Sequence, residues 1–253
     1  MRKARAIAWL NLKQGLREKL FYGVLFFFAS FLAFCALLGE LSVGESEKVI
    51  RSAGLAGMEL SGLILVVFSL IFSFYRERDS RILEIYLTNF SRGQYISGKL
   101  IGYLLILLIF LGLAAAGYAL ILLLYQAFAW QIIAGIYFLF LKLSIVTGFT
   151  LFFACLFSSP ALALLCSLFS YFAAETAHSA LQIILRQGST LQAVFFKGLY
   201  YCLPNMDKLD IKALAAHGRL PDLSFFLLGS LHGCAYLICL WLLICCVFLK
   251  KEY

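Results

Sequence analysis

The sequence predicts an all-α, polytopic membrane protein of about six transmembrane helices, with an amino-terminal interfacial helix, a short cytoplasmic helix and outer interfacial helices. Three observations lead there: composition, the length of the apolar runs, and the placement of the basic residues. Of the 253 residues, 63% are hydrophobic and 13% charged, where soluble domains average about 45–50% and about 25%. A soluble fold of this length cannot hide so much apolar surface, so lipid must be the solvent. A hydrocarbon core about 30 Å thick takes about 20 apolar residues in helix to cross. The apolar stretches are continuous and do not alternate every second residue, which excludes a barrel.

Segment 6–20 is amphipathic: Trp9, Leu12, Leu16 and Leu20 recur at helical spacing, with Lys13 and Arg17 on another side. Such a helix lies at the headgroups, apolar face inward; the plainer alternative is a basic flank that only sets topology. A single transmembrane domain, 1–253, follows, with spans over 20–39, 57–75, 100–125, 131–157, 161–185 and 225–249. The connections 126–130 and 158–160 are so short that the third, fourth and fifth spans form an antiparallel hairpin series. Thirteen Lys/Arg fall on the side holding both termini and the loop between the second and third spans, against seven on the other. The positive-inside rule therefore places both termini in the cytoplasm.

The net charge of +8 suggests nucleic acid, but basic residues flanking apolar spans are explained by topology and membrane lipid, and no nucleic-acid partner is expected. Cys35, Cys155, Cys166, Cys234, Cys239, Cys245 and Cys246 lie inside apolar runs without a C-x-x-C pair. They read as small buried hydrophobes, not as a metal or disulfide framework. No small-residue cleavage site follows the first apolar run, so no cleavable signal peptide is expected.

The loop 76–99 carries the most information. Asp79 and Ser80 are N-cap types before Ile82, Leu83, Ile85, Tyr86 and Leu87, a short helix with a wide apolar face; Asn89, Ser91 and Gly93 then break it. Outside the bilayer such a face needs a protein partner, or else lies flat on the membrane. The run Arg76-Glu77-Arg78-Asp79, Ile82-Leu83-Glu84, Ser91-Arg92, Tyr95-Ile96 and Gly98-Lys99 resembles the first cytoplasmic loop of type-2 ABC exporter permeases. Gly54-Leu55-Ala56 with Leu60, and Leu203-Pro204-Asn205, are similar to the subgroup associated with multicopper-enzyme maturation, including nitrous oxide reductase assembly. Arg81 and Asn89 depart from that family, which often has Thr and Pro there.

The resemblance implies the permease subunit of an ABC transporter in a bacterial inner membrane, exporting an unidentified substrate, with a link to maturation of a copper enzyme. It implies a second permease copy, two separate ABC ATPase subunits that carry the ATP and Mg, and no enzymatic activity in this chain. A periplasmic accessory protein is a further expected partner. The coupling helix would touch the ATPase through Glu77, Arg78, Asp79, Arg81, Ile82, Leu83, Glu84, Ile85, Tyr86 and Arg92. A membrane scaffold that binds partners without transport is the alternative. A secondary transporter is a third reading, but it would show repeats or broken midplane helices, and neither is evident.

Gly93-Gln94-Tyr95-Ile96-Ser97-Gly98-Lys99-Leu100 is nearly a P-loop, yet Leu100 stands where a hydroxyl must ligand Mg²⁺. Gly98 and Lys99 read better as the start of the third span, Lys99 at headgroup level. Ionisable residues within spans are costly and mark functional candidates: Glu59, Lys142, Glu175 and His178. Lys142 lies about 16 Å from the outer start of its span and Glu175 about 15 Å from the outer end of the next, at ~1.5 Å per residue. The matched depths predict a Glu175–Lys142 ion pair, with His178 on the same helix face as Glu175. The pair either ties two helices together or lines a polar route. His217 and His232 are isolated and no catalytic set is recognised.

In the outer segment 186–224, Ser189 starts a predicted helix with Leu191, Val194, Phe195, Leu199 and Cys202 on one face, ended by Pro204. A second, more polar helix begins at Asn205 or Asp207 and runs through Ala216, and Asp222 caps the last span. Both helices are expected to form an outer lid (Phe195, Tyr200, Pro204, Asp207), unless the segment serves a periplasmic partner. Asp207 and Asp210 read as a solvated face, since two carboxylates do not make a metal cage.

Overall fold

The computed structural model describes residues 2–41, 46–187, 204, 206–216 and 221–250. Among them the chain is helical without strands: α1 (Arg2–Arg17), α2 (Lys19–Leu41), α3 (Ser46–Asp79), α4 (Ile82–Asn89), α5 (Arg92–Leu124), α6 (Gln131–Leu156), α7 (Pro160–Gln187), a 3-10 turn (Met206–Leu209), α8 (Lys212–Ala216) and α9 (Leu223–Lys250). Six of these helices, α2, α3, α5, α6, α7 and α9, are long and apolar enough to cross a membrane. The protein is a multi-pass, all-α membrane protein.

Burial ranks the spans. The most apolar stretches of α3 and α6 are each 72% buried, against 22–33% for the other four. α3 and α6 are thus the central pair, and α2, α5, α7 and α9 wrap them with outward-facing Leu, Ile and Phe. α6 also carries Ser144, Thr147 and Thr150, whose hydroxyls donate to the carbonyls of Phe140, Leu143 and Val146, four residues back. That bonding lets small polar residues sit in an apolar interior without unmet donors.

Two spans start earlier than their hydropathy suggests. α3 begins at Ser46 instead of 57, because the mixed stretch before Gly57 simply continues the helix. α5 begins at Arg92 instead of 100, nucleated by a capping box: Ser91 Oγ accepts from the Gln94 amide at 3.4 Å and Gln94 Oε1 accepts from the Ser91 amide at 3.3 Å. Residues 93–99 are therefore helical and form no phosphate cradle.

α1 packs against α5 through Ile7, Ala8, Asn11 and Leu12, all buried. The approach is close: a Cβ at Gly102 would lie 2.8 Å from the Asn11 Cβ and 3.1 Å from the Ala8 carbonyl oxygen. Small residues permit that contact, and it fixes the helix rotation. Trp9 consequently points away at 69% exposed, with Leu10 beside it at 45%. The expected Trp9–Leu12–Leu16–Leu20 face is corrected: Leu12 is on the packed side and Trp9 is not. α1 turns into α2 at Glu18, whose amide donates to Gly15 O at 3.2 Å. At the same face the Arg92 guanidinium donates to the carbonyls of Phe248 (3.3 Å) and Leu249 (2.8 Å), satisfying the end of α9.

The outer segment departs from the expected lid. Its described part is a 3-10 turn and a five-residue helix, not one helix through Ala216. Met206, Leu209, Ile211 and Ala215 are buried at 0–2% exposure, so the segment is tucked into the bundle rather than floating at the interface. Pro204 is buried. The helix expected after Ser189, with Phe195 and Tyr200, lies outside the described residues, as does the side chain of Asp207.

Candidate functional site

Halfway along α6 (Gln131–Leu156), α3, α6, α7 and the segment around α8 converge on one ammonium. Lys142 Nζ lies 2.6 Å from Glu59 Oε1, 2.5 Å from Glu175 Oε2 and 3.7 Å from Asp210 Oδ2. The Lys142 side chain is 1% exposed and that of Glu59 5%. Lys142 thus makes close ion-pair contacts with two carboxylates at once, with a third nearby. The ammonium is therefore held chiefly by charge, between carboxylates from different helices. Glu59 is better tied: its Oε1 accepts from the Tyr171 hydroxyl at 2.7 Å, and its Oε2 receives Lys212. Lys212 also reaches Asp210 Oδ2 at 3.1 Å.

Three carboxylates thus face two ammonium groups, leaving one formal negative charge. Exposure is graded: Glu175, Asp210 and Lys212 side chains are 24–28% exposed, while Glu59 and Lys142 are closed in. The cluster is therefore reached by solvent from the side of Glu175, Asp210 and Lys212 and closed around Glu59 and Lys142. Burial alone would lower the Lys212 pKa; the Glu59 and Asp210 carboxylates outweigh it and hold the ammonium above the ordinary lysine value. Among the described residues no group of His, Cys, Asp and Glu is arranged to hold a metal ion.

The predicted Glu175–Lys142 pair is present. Glu59 joins it because α3 starts at Ser46, which puts Glu59 more than three turns inside the helix instead of at its edge. Asp210 and Lys212 complete the set, and neither was expected there: the solvated reading of Asp210 is corrected. His178 lies on α7, its side chain outside the described residues.

The family models give no match to this chain, and no curated protein matches its sequence.

A second cluster underlies the loop at the amino-terminal face. Lys99, with no exposed surface, lies 2.7 Å from Glu77 Oε2. Tyr95 donates its hydroxyl to the same oxygen at 2.6 Å, and Ser73 donates to Oε1 at 3.2 Å. Lys99 is therefore internal to the protein, and Glu77 is an internal anchor rather than a presented contact. Arg78 is half-buried with its guanidinium 5.6 Å from the Tyr75 ring centroid. Arg92 is committed to the end of α9.

The other loop residues are arranged differently. Asp79 still belongs to α3, and Ser80 donates its hydroxyl to Arg76 O at 2.6 Å, so neither caps α4. The break is made by Arg81, which adopts φ 57°, ψ 9°, a left-handed conformation uncommon outside glycine. That turn redirects the chain and sets α4 beyond the spans. Leu83 is turned inward at 2% exposure, whereas Ile82 and Ile85 are 40% and 60% exposed; Arg81 and Glu84 flank them, also exposed. Tyr86 and Phe90, half-buried, hold the helix down, the Tyr86 ring 6.0 Å from Tyr95. Burial and then Glu77 push the Tyr86 phenol pKa up, so it stays neutral.

Proposed function

We propose that this chain is the membrane subunit of a transporter whose motor is a separate ATPase, and that α4 is where the motor grips. The observation that supports this most is the geometry of α4: a short helix outside the spans, anchored inward by Leu83 and presenting Ile82 and Ile85 between Arg81 and Glu84. Apolar side chains ringed by charges, outside the hydrocarbon region, suit a protein groove. Glu77, Arg78 and Arg92 act beneath it as the seat that joins α4 to α3, α5 and α9. The excess of Lys/Arg on this side supports a cytoplasmic amino-terminal face, where ATP and Mg are held by the partner.

In this reading the Lys142 cluster is the outer gate. It closes the outer half between the central helices and the α8 segment, where a polar route would pass, and it is built from charges that exchange partners cheaply because several are within reach. Alternating access then means parting Glu59 and Asp210 from Lys142 and Lys212. The permease type, a second copy of the chain, the inner membrane and the copper-enzyme link rest on the resemblance of the 76–99 loop.

The experiment is purification of tagged chain from its native membranes, with nucleotide hydrolysis measured on the isolated complex. The double variant Ile82→Glu/Ile85→Glu should remain in the membrane and lose the hydrolytic activity that accompanies the wild type. A wild-type complex without nucleotide hydrolysis, or a variant that keeps it, refutes the docking role. Hydrolysis that persists in Lys142→Met/Glu175→Gln while transport stops supports the gate; preserved transport rejects it.

A further inference from the structure

Where α1 bends into α2, the amino-terminal face holds a cavity of about 760 Å³. Its basic lining comes from Lys13 and Arg17 of α1, Lys19 at the start of α2 and Arg76 of α3, and its apolar wall from Leu10, Leu20 and Phe72. The one carboxylate in the lining, Glu18, is already engaged: Arg76 lies 2.6 Å from its Oε1 and Ser69 donates to its Oε2 at 3.0 Å. Among the described residues no ion pair joins Lys13, Arg17 or Lys19 to a carboxylate. Four cations against one anion leave the cavity strongly electropositive.

We infer that this cavity binds the headgroup of an anionic phospholipid, independently of any transport role. The phosphate, and any second anionic group, sits among Lys13, Arg17 and Lys19, and Gln14 supplies a neutral donor. Leu10 and Phe72, 45% and 53% exposed, line the way out along which acyl chains would run. The source is a lipid rather than free phosphate, because a wall of Leu10, Leu20 and Phe72 gives a hydrated ion nothing but desolvation cost. A zwitterionic lipid brings its own cation into a site that already has an excess, so it binds less well. Basic pockets between membrane helices at the headgroup level take anionic headgroups by this same balance.

The bound lipid would brace the α1–α2 bend, since its phosphate bridges cations of both helices, with Arg76 of α3 held beside it by Glu18. Glu18 is a positioning residue: it holds Arg76 at the cavity and is not itself a ligand for the anion.

The test is native mass spectrometry of the full chain in micelles doped with equal phosphatidylglycerol and phosphatidylcholine, with inorganic phosphate as a separate addition. The wild type should retain phosphatidylglycerol preferentially. Lys13→Gln/Arg17→Gln should lower that preference about 25-fold, about fivefold per cation. Equal retention of the two lipids by the wild type overturns the inference. So does displacement of phosphatidylglycerol by millimolar inorganic phosphate, which would identify a free anion as the ligand. A double variant that keeps the preference overturns the location. Should that variant not reach the membrane, Leu10→Glu puts a carboxylate in the same cavity and leaves the basic flank intact; it should cut the preference at least tenfold, and no change there also overturns the inference.

Discussion

Lys142→Met is the sharpest perturbation of the Glu59–Lys142 cluster. It removes the ammonium that contacts Glu59 at 2.6 Å and Glu175 at 2.5 Å while keeping most of the apolar stem. Glu59 retains Lys212 and the Tyr171 hydroxyl; Glu175 loses its direct ion pair and keeps only the more distant Lys212 among other carboxylates. Stripping one partner from a buried pair costs about 3–5 kcal/mol, and the lower end applies because Glu59 keeps a cation. Glu175→Gln alone should cost about 1 kcal/mol, since that side chain is 28% exposed and water screens part of the interaction. The double variant no longer carries the stranded charge, so it should be at least about 1 kcal/mol more stable than the sum of the single losses. Reversible unfolding in mixed micelles, followed by circular dichroism across a denaturing-detergent titration, measures all four corners of the cycle. Additivity to within about 0.5 kcal/mol would refute the argument, because it would mean that Lys142 and Glu175 do not sense each other.

Gly102→Val should wedge α1 off α5, since a Cβ there already meets Asn11 at 2.8 Å; a loss of about 1–3 kcal/mol and faster proteolysis near Arg5 are the expected readouts. Arg92→Ala frees the carbonyls of Phe248 and Leu249 and should cost about 1 kcal/mol, with faster amide exchange confined to the last turn of α9. Lys99→Met leaves Glu77 buried with only Ser73 and Tyr95, so it should destabilise by about 3 kcal/mol, and Glu77→Gln in the same chain should restore part of that loss in a thermal-shift assay. Lys212 has a raised folded-state pKa, so its contribution is complete below the unfolded value of about 10.4 and is lost only as pH rises through the higher folded value. The melting temperature of Lys212→Met should therefore lie below the wild type at pH 8 by a gap that stays constant up to about pH 10 and begins to narrow only above the unfolded value.

The spans were legible because each is a run of apolar residues with nothing else to be, and lipid leaves backbone no option but helix. The Lys142–Glu175 pair was legible for a related reason: a three-residue connection fixes the register of α6 against α7, and depth then follows from rise per residue. Glu59 was half-legible; its helix continues upstream through Ser52, Arg51 and Glu47, polar enough to look like loop. Asp210 and Lys212 were hidden, because nothing local in residues 206–216 announces that Met206, Leu209 and Ile211 will bury and carry the two charges inward. The loop motif misled in a specific way. Glu77, Lys99 and Arg92 are charged residues near a membrane boundary, which ordinarily means surface, yet Glu77 and Lys99 pair with each other inside the protein and Arg92 reaches the carbonyl of buried Phe248. Trp9 failed similarly, since which side of α1 packs is decided by the small residues Ala8 and Gly102 rather than by the largest hydrophobe.

α3 runs unbroken for 34 residues from Ser46 to Asp79, so the stretch between the Arg81 turn and Glu59 is a stiff shaft about 30 Å long at ~1.5 Å per residue. Rocking that shaft by about 5° about its Arg81 end swings Glu59 sideways by about 2.6 Å, the product of angle and length. A displacement of that size is enough to part Glu59 from Lys142, 2.6 Å away, so a small tip at the Arg81 end would be felt as a lost charge contact halfway along the bundle.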